Sequence, residues 1–140
     1  MPDQDPRAVT LEKIYAAFAV GDWDSWSEHI DENSLLIEAE SLPYGGRFKG
    51  MDIVRGLTKI LEYWEDFDYK RLETFYGETS IMVYGIMEAT GKATGLRVSM
   101  PLAERWIFEG TTIREVTAIY GDTALCLKAT VGEMGAAQLG

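Results

Sequence analysis

Three glutamates are the residues of this chain best suited to chemistry. Over residues 96–108, Leu96, Val98, Met100, Leu102, Glu104, Trp106 and Phe108 alternate with Arg97, Ser99, Pro101, Ala103, Arg105 and Ile107. In an extended strand this places six apolar side chains and one carboxylate on a single face. An unpaired charge in such a row is costly, so Glu104 must pair with an arginine, be turned outward by a bulge near Pro101, or face a cavity and hold its proton tightly. A second acidic row occurs in "SLLIEAE", where Leu36, Glu38 and Glu40 alternate with Leu35, Ile37 and Ala39. That row is either solvated or directed inward. If Glu38 or Glu40 shares one apolar cavity with Glu104, the two titrations are pushed apart and leave one ionised base and one protonated donor. Such a pair can remove a proton from carbon beside a carbonyl while donating a hydrogen bond to the enolate that forms.

Other side chains could support that chemistry or only pack. His29 sits between Trp26 and Ile30, as an acid/base group or a packing residue. Tyr15 and Tyr120 could hydrogen-bond a substrate oxygen or cap the core. Trp26, Trp64, Met100 and Trp106 could line a pocket for a flat hydrophobic ring. With one histidine and one cysteine, Cys126, the chain offers little for a zinc site, an intramolecular disulfide or a Ser-His or Cys-His hydrolase. No metal or cofactor is implied, and a reduced cytoplasmic setting is the simplest expectation.

The elements that must position these residues follow from periodicity. The spacing of Leu11, Ile14, Tyr15, Phe18 and Ala19 predicts a helix capped by Thr10 and ended by Gly21. Asp22 can cap a short second helix, and Ile53, Leu57, Ile60, Leu61 and Trp64 define a third. Between them, "ESLPYGGRFKG" reads as a loop over a pocket, with Tyr44 and Phe48 able to cover its mouth. From Phe67 the period becomes two, and four strands are expected over residues 67–76, 79–90, 95–109 and 112–121, followed by a turn capped by Asp122. The plan is one α+β domain over residues 9–128, with three N-terminal helices packed on the concave face of a strongly curved antiparallel sheet. Residues 1–8 and 129–140 are expected to be flexible tails.

With 13 basic and 23 acidic residues among 140, the net charge is −10 and the basic residues are scattered, which disfavours nucleic acid and acidic membrane surfaces as partners. The N-terminal residues lack the apolar core of a signal peptide, and no apolar run reaches the length of a membrane span.

The order of elements, together with "YAAFAVGDWDSW", "PYGGRFKGMDIV", "WIFEGTTIREV" and "IYGDTAL", resembles the nuclear transport factor 2-like superfamily, and within it the ketosteroid isomerase and SnoaL-like polyketide cyclase branch. That resemblance covers about residues 9–127 and implies a cystatin-like cone. It also implies an oxyanion-site acid at Glu104 and a proton-shuttling acid at Glu38 or Glu40. Ile14 stands where the isomerase tyrosine is expected, and Ile119 where limonene epoxide hydrolase-like proteins carry an aspartate. The expected function is binding of a small hydrophobic cyclic ligand by a homodimer formed through the outer sheet face. It is either a cofactor-free isomerase, cyclase or dehydratase, or a non-catalytic binding or assembly domain.

Overall fold

The computed structural model describes residues 5–132. Helix α1, Pro6–Val20, starts where Asp5 accepts a hydrogen bond from the Arg7 amide and Pro6 occupies the first turn, where its missing N–H costs nothing. The Asp5–Pro6 pair is a stronger start signal than Thr10, which is buried inside the helix, so residues 6–8 are helical and not a tail. Residues 1–4 and 133–140 of the expected tails lie outside the described residues. Gly21 ends α1 in the left-handed region, φ 68°. Helix α2, Trp23–Ser27, is capped by Asp22, whose carboxylate accepts the Ser25 amide at 3.1 Å. After α2 come β1 (Leu35–Glu38), β2 (Gly46–Lys49) and α3 (Asp52–Tyr63). Next are β3 (Trp64–Tyr76), β4 (Ile81–Gly91), β5 (Arg97–Glu109) and β6 (Thr112–Tyr120). Helix α4, Thr123–Val131, is capped by Asp122 and runs past the expected domain limit at residue 128.

The six strands form one sheet in the order β2-β1-β6-β5-β4-β3. It is mixed, because β1 lies parallel to β6 while every other pair is antiparallel. Two helices, rather than three, precede the first strand, and α3 follows the β1–β2 hairpin. The alternation of β5 is unbroken from Arg97 through Trp106; its bulge falls at Ile107/Phe108, not near Pro101. Trp64 opens β3 instead of closing α3, and its buried indole N–H donates to the Tyr44 hydroxyl at 3.0 Å.

The stretch from Glu40 to Gly50 is not a rim. Its second half is β2, whose Phe48 pairs with Leu36, and its first half is a turn closed by Gly45. A Cβ at Gly45 would stand 1.9 Å from the Ala39 carbonyl oxygen, so only glycine lets the two backbones close the hairpin. Leu42, Tyr44 and Phe48 are buried, and the Phe48 ring lies against Gly56 of α3. Among the described residues, no helix is long and apolar enough to cross a membrane.

Candidate active site

The inner face of the sheet, α1 and α3 enclose a cavity of about 740 Å³. Its walls are largely aromatic and aliphatic, and two carboxyls, buried Glu38 and partly buried Glu104, enter from adjoining parts of the sheet. Glu104 on β5 is the partner of Ala118 on β6, and the parallel register that sets Leu36 beside Val116 brings Glu38 beside the same alanine. Strands are spaced by about 4.8 Å, so the two glutamate backbones stand roughly 10 Å apart with only the alanine methyl between them. Both side chains line the cavity.

Each carboxyl is held by one tyrosine. The Tyr15 hydroxyl, from α1, donates to Glu104 Oε1 at 2.5 Å and accepts from the Trp106 indole N–H at 3.2 Å. The Tyr120 hydroxyl, from the end of β6, donates to Glu38 Oε1 at 2.6 Å. Tyr44 lies behind Tyr120, ring centroids 6.3 Å apart, close enough for each hydroxyl to affect the other's titration. Burial dominates all of these groups. It pushes the Glu38 carboxyl up to about 8, against the hydrogen bond from Tyr120 and with help from the charge of Glu104. Glu104 is pushed up to about 7, less far because the Tyr15 hydrogen bond and the Arg71 guanidinium both favour its charged form. Tyr15 and Tyr120 are raised well above the usual tyrosine range by burial and by the carboxylates they serve, so they remain donors.

The pair has an asymmetry that favours ionisation of Glu104 over Glu38. Its physical origin is the cation on one side only: Arg71 stands near Glu104, whereas no basic residue touches Glu38 among the described residues.

Of the residues singled out from the sequence, Tyr15, Trp26, Glu38, Trp64, Glu104, Trp106 and Tyr120 line this cavity. Glu40 is exposed and outside it. Tyr44 and Phe48 are core residues below the β1–β2 hairpin and cover no opening. Met100 shares the inner face of β5 but lies under α4, its sulfur 3.6 Å from Cys126 Sγ, beyond the cavity. His29 borders a shallow surface groove between α1 and α2 instead. Sequence reasoning missed Phe67, Tyr69 and Arg71, the inward residues at the start of β3. Their period-two spacing was the available signal, masked by the charged residues between them. The Tyr69 hydroxyl donates to the Leu102 carbonyl at 2.7 Å. Among the described residues, no group of three or more His, Cys, Asp or Glu is arranged to hold a metal ion.

No protein-family model matches the sequence, and no curated protein matches it. Solved structures do match its fold. A nuclear transport factor 2-like protein of unknown function from Burkholderia pseudomallei superposes with a TM-score of 0.83 at 15% identity, over 91% of this chain and 99% of that one. TerC co-crystallised with polyporic acid gives 0.79 at 16% identity, over 90% and 98%. A candidate SnoaL-like polyketide cyclase from Shewanella denitrificans gives 0.74 at 13% identity, over 90% and 97%. The fold is thus that of nuclear transport factor 2-like proteins, shared with SnoaL-like and ketosteroid isomerase-like proteins.

Proposed function

We propose that this protein binds a small hydrophobic cyclic molecule in its cavity and transfers a proton at the carbon next to the ligand's carbonyl group, without a cofactor. One observation carries the reading: two carboxyls, buried Glu38 and partly buried Glu104, each bonded to one tyrosine, share a single apolar cavity with the space between them kept open by Ala118. Glu104, as carboxylate, takes the proton from carbon. Glu38, as carboxylic acid, donates a hydrogen bond to the oxygen that gains negative charge. The enolate then has three outcomes. Glu104 returns its proton to a different carbon in an isomerisation. Alternatively, the enolate carbon forms a bond to a second carbonyl carbon, whose oxygen takes the Glu38 proton, in a cyclisation. In a dehydration, a β-hydroxyl leaves as water with the Glu38 proton. That TerC was co-crystallised with polyporic acid supports a small-molecule occupant for this kind of cavity.

The test is hydrogen–deuterium exchange, followed by NMR, on a panel of cyclic ketones and enones in deuterated buffer. Enzyme-dependent exchange at the α carbon is expected, and Glu104→Gln or Glu38→Gln should slow it by about 100-fold or more. Binding of the panel without any exchange would instead identify a non-catalytic binding domain.

The homodimer belongs to the same proposal. Tyr84, Ala103 and Ile119 form one row across the outer face of β4, β5 and β6, with Tyr84 and Ile119 exposed. An apolar row of this kind suits a second sheet. Sedimentation showing only monomer at micromolar concentration would remove it. A reduced, cytoplasmic setting belongs to the proposal too, because Cys126 is the one cysteine of the sequence and is a free, buried thiol.

A further inference from the structure

The inward row of β3 ends at the mouth of the cavity with a cation. Phe67, Tyr69 and Arg71 line the cavity, and after Arg71 a bulge at Leu72 shifts the register so that no later residue of β3 reaches it. Opposite Arg71 on β4 is Gly85, where a Cβ would stand 2.4 Å from the Lys70 carbonyl oxygen and 2.7 Å from the Tyr69 ring; glycine is needed for β3 to approach this closely. The Arg71 guanidinium lies over the ring of Tyr15, 4.3 Å from its centroid, and pairs with Glu12 one turn earlier on α1. One turn of α1 therefore grips Arg71 with a carboxylate and a ring face, and that same ring carries the hydroxyl bonded to Glu104.

We propose that Arg71 is a positioning residue of the site: clamped by Glu12, it fixes the Tyr15 hydroxyl on Glu104 and sets the cavity's one positive charge beside that carboxyl rather than beside Glu38. This rests on the proton-transfer reading given above. The titratable and charged groups that face Glu104 are Tyr15 from α1, Tyr69 and Arg71 from β3, and Glu38 from β1. Its neighbours on the flanking strands are Val83 of β4 and Ala118 of β6, neither of which carries charge. Arg71 is the only cation among the described residues lining the cavity, so its removal leaves no substitute. The competing account is that the Arg71–Glu12 pair merely ties α1 to β3, which an exposed ion pair does weakly.

Carboxyl NMR of glutamate-labelled protein separates the two, using Arg71→Met, Arg71→Lys and Glu12→Gln. In Arg71→Met the Glu104 midpoint should rise by about half a pH unit or more and approach or pass that of Glu38, because an opposite charge is lost from beside a desolvated carboxyl. Arg71→Lys, which keeps the charge, should restore much of the difference. Glu12→Gln breaks the same tie while leaving the guanidinium, and should move the midpoint less than Arg71→Met. Unchanged midpoints in folded Arg71→Met, or equal effects of Arg71→Met and Glu12→Gln, would reduce Arg71 to a surface tie. Because this readout needs no turnover, it can fail while α-carbon exchange succeeds, and the reverse.

Discussion

Glu38 and Glu104 lie two strands apart on either side of Ala118, and each accepts a hydrogen bond from a different tyrosine. Two carboxyls so placed cannot both ionise cheaply in an apolar cavity, and this links the site to the stability of the whole domain.

Stability should fall as pH rises through neutrality. Both native carboxyls are raised, to about 8 for Glu38 and about 7 for Glu104, so the folded state binds more protons than the unfolded state above the ordinary glutamate range. Their contribution is fully present below the unfolded value near 4.5 and is lost as pH climbs through the folded values. The slope approaches roughly 1.4 kcal/mol per pH unit for each group in that window. Denaturant unfolding at pH 5 and pH 8.5 should show a loss of a few kcal/mol in the native protein. Glu38→Gln should flatten the dependence. If Glu38→Gln destabilises the protein clearly at pH 8, the buried acid is an ionised structural partner, and the proposed role as donor is lost.

Removing either tyrosine hydroxyl should raise the carboxyl it serves. Tyr120→Phe takes the donor from Glu38 and Tyr15→Phe takes it from Glu104, and in both cases the charged form loses its hydrogen bond. Tyr15→Phe also leaves the Trp106 indole N–H without its acceptor, so it should cost more stability, by about 1–2 kcal/mol. NMR titration of the two carboxyls and paired unfolding curves would show whether each effect stays with its own partner.

The parts of the site visible in sequence were those fixed by local period. Unbroken alternation along β5 is enough to turn Glu104 inward among Leu102 and Trp106, and the caps at Asp22 and Asp122 follow from short-range side-chain chemistry. What stayed hidden depends on contacts distant in the chain. The parallel pairing of β1 with β6, which brings Glu38 beside Ala118, joins residues 80 apart in the chain, such as Leu36 and Val116, and leaves no local mark. Strand β2 has four residues in a glycine-rich stretch, too short for a period to register. Arg71 reads as one more surface charge until the bulge at Leu72 and the α1 clamp give it a direction.

Gly45 should be as sensitive as a core residue despite its place in a turn. The atoms a Cβ would meet belong to the Ala39 and Glu40 backbone, which cannot swing aside as a side chain could. Gly45→Ala must therefore pry the β1–β2 hairpin apart, which displaces Tyr44 from the Trp64 indole and disturbs the end of β1 that carries Glu38. A loss of about 2 kcal/mol or more is expected by thermal or denaturant unfolding, against about 0.5 kcal/mol for an ordinary surface change. A near-neutral Gly45→Ala would show that this turn is looser than its backbone contacts imply.

Ala118→Leu separates the cavity from the fold. The alanine methyl is all that stands between the two carboxyls, so three added carbons enter the space where a ligand's carbonyl must sit to reach both acids. A cavity of about 740 Å³ can absorb those carbons with modest repacking, so the cost to stability should be no more than about 1–3 kcal/mol and could be offset by the apolar surface filled. Binding of any ring held against Glu38 and Glu104 should weaken at least tenfold, and α-carbon exchange should vanish with it. Ala103→Leu supplies the contrast: it adds the same carbons one residue along β5 from Glu104, on the outer face, and should leave ligand binding as it was. Equal binding by Ala118→Leu and the native protein would mean that ligands rest elsewhere in the cavity, out of reach of the acid pair.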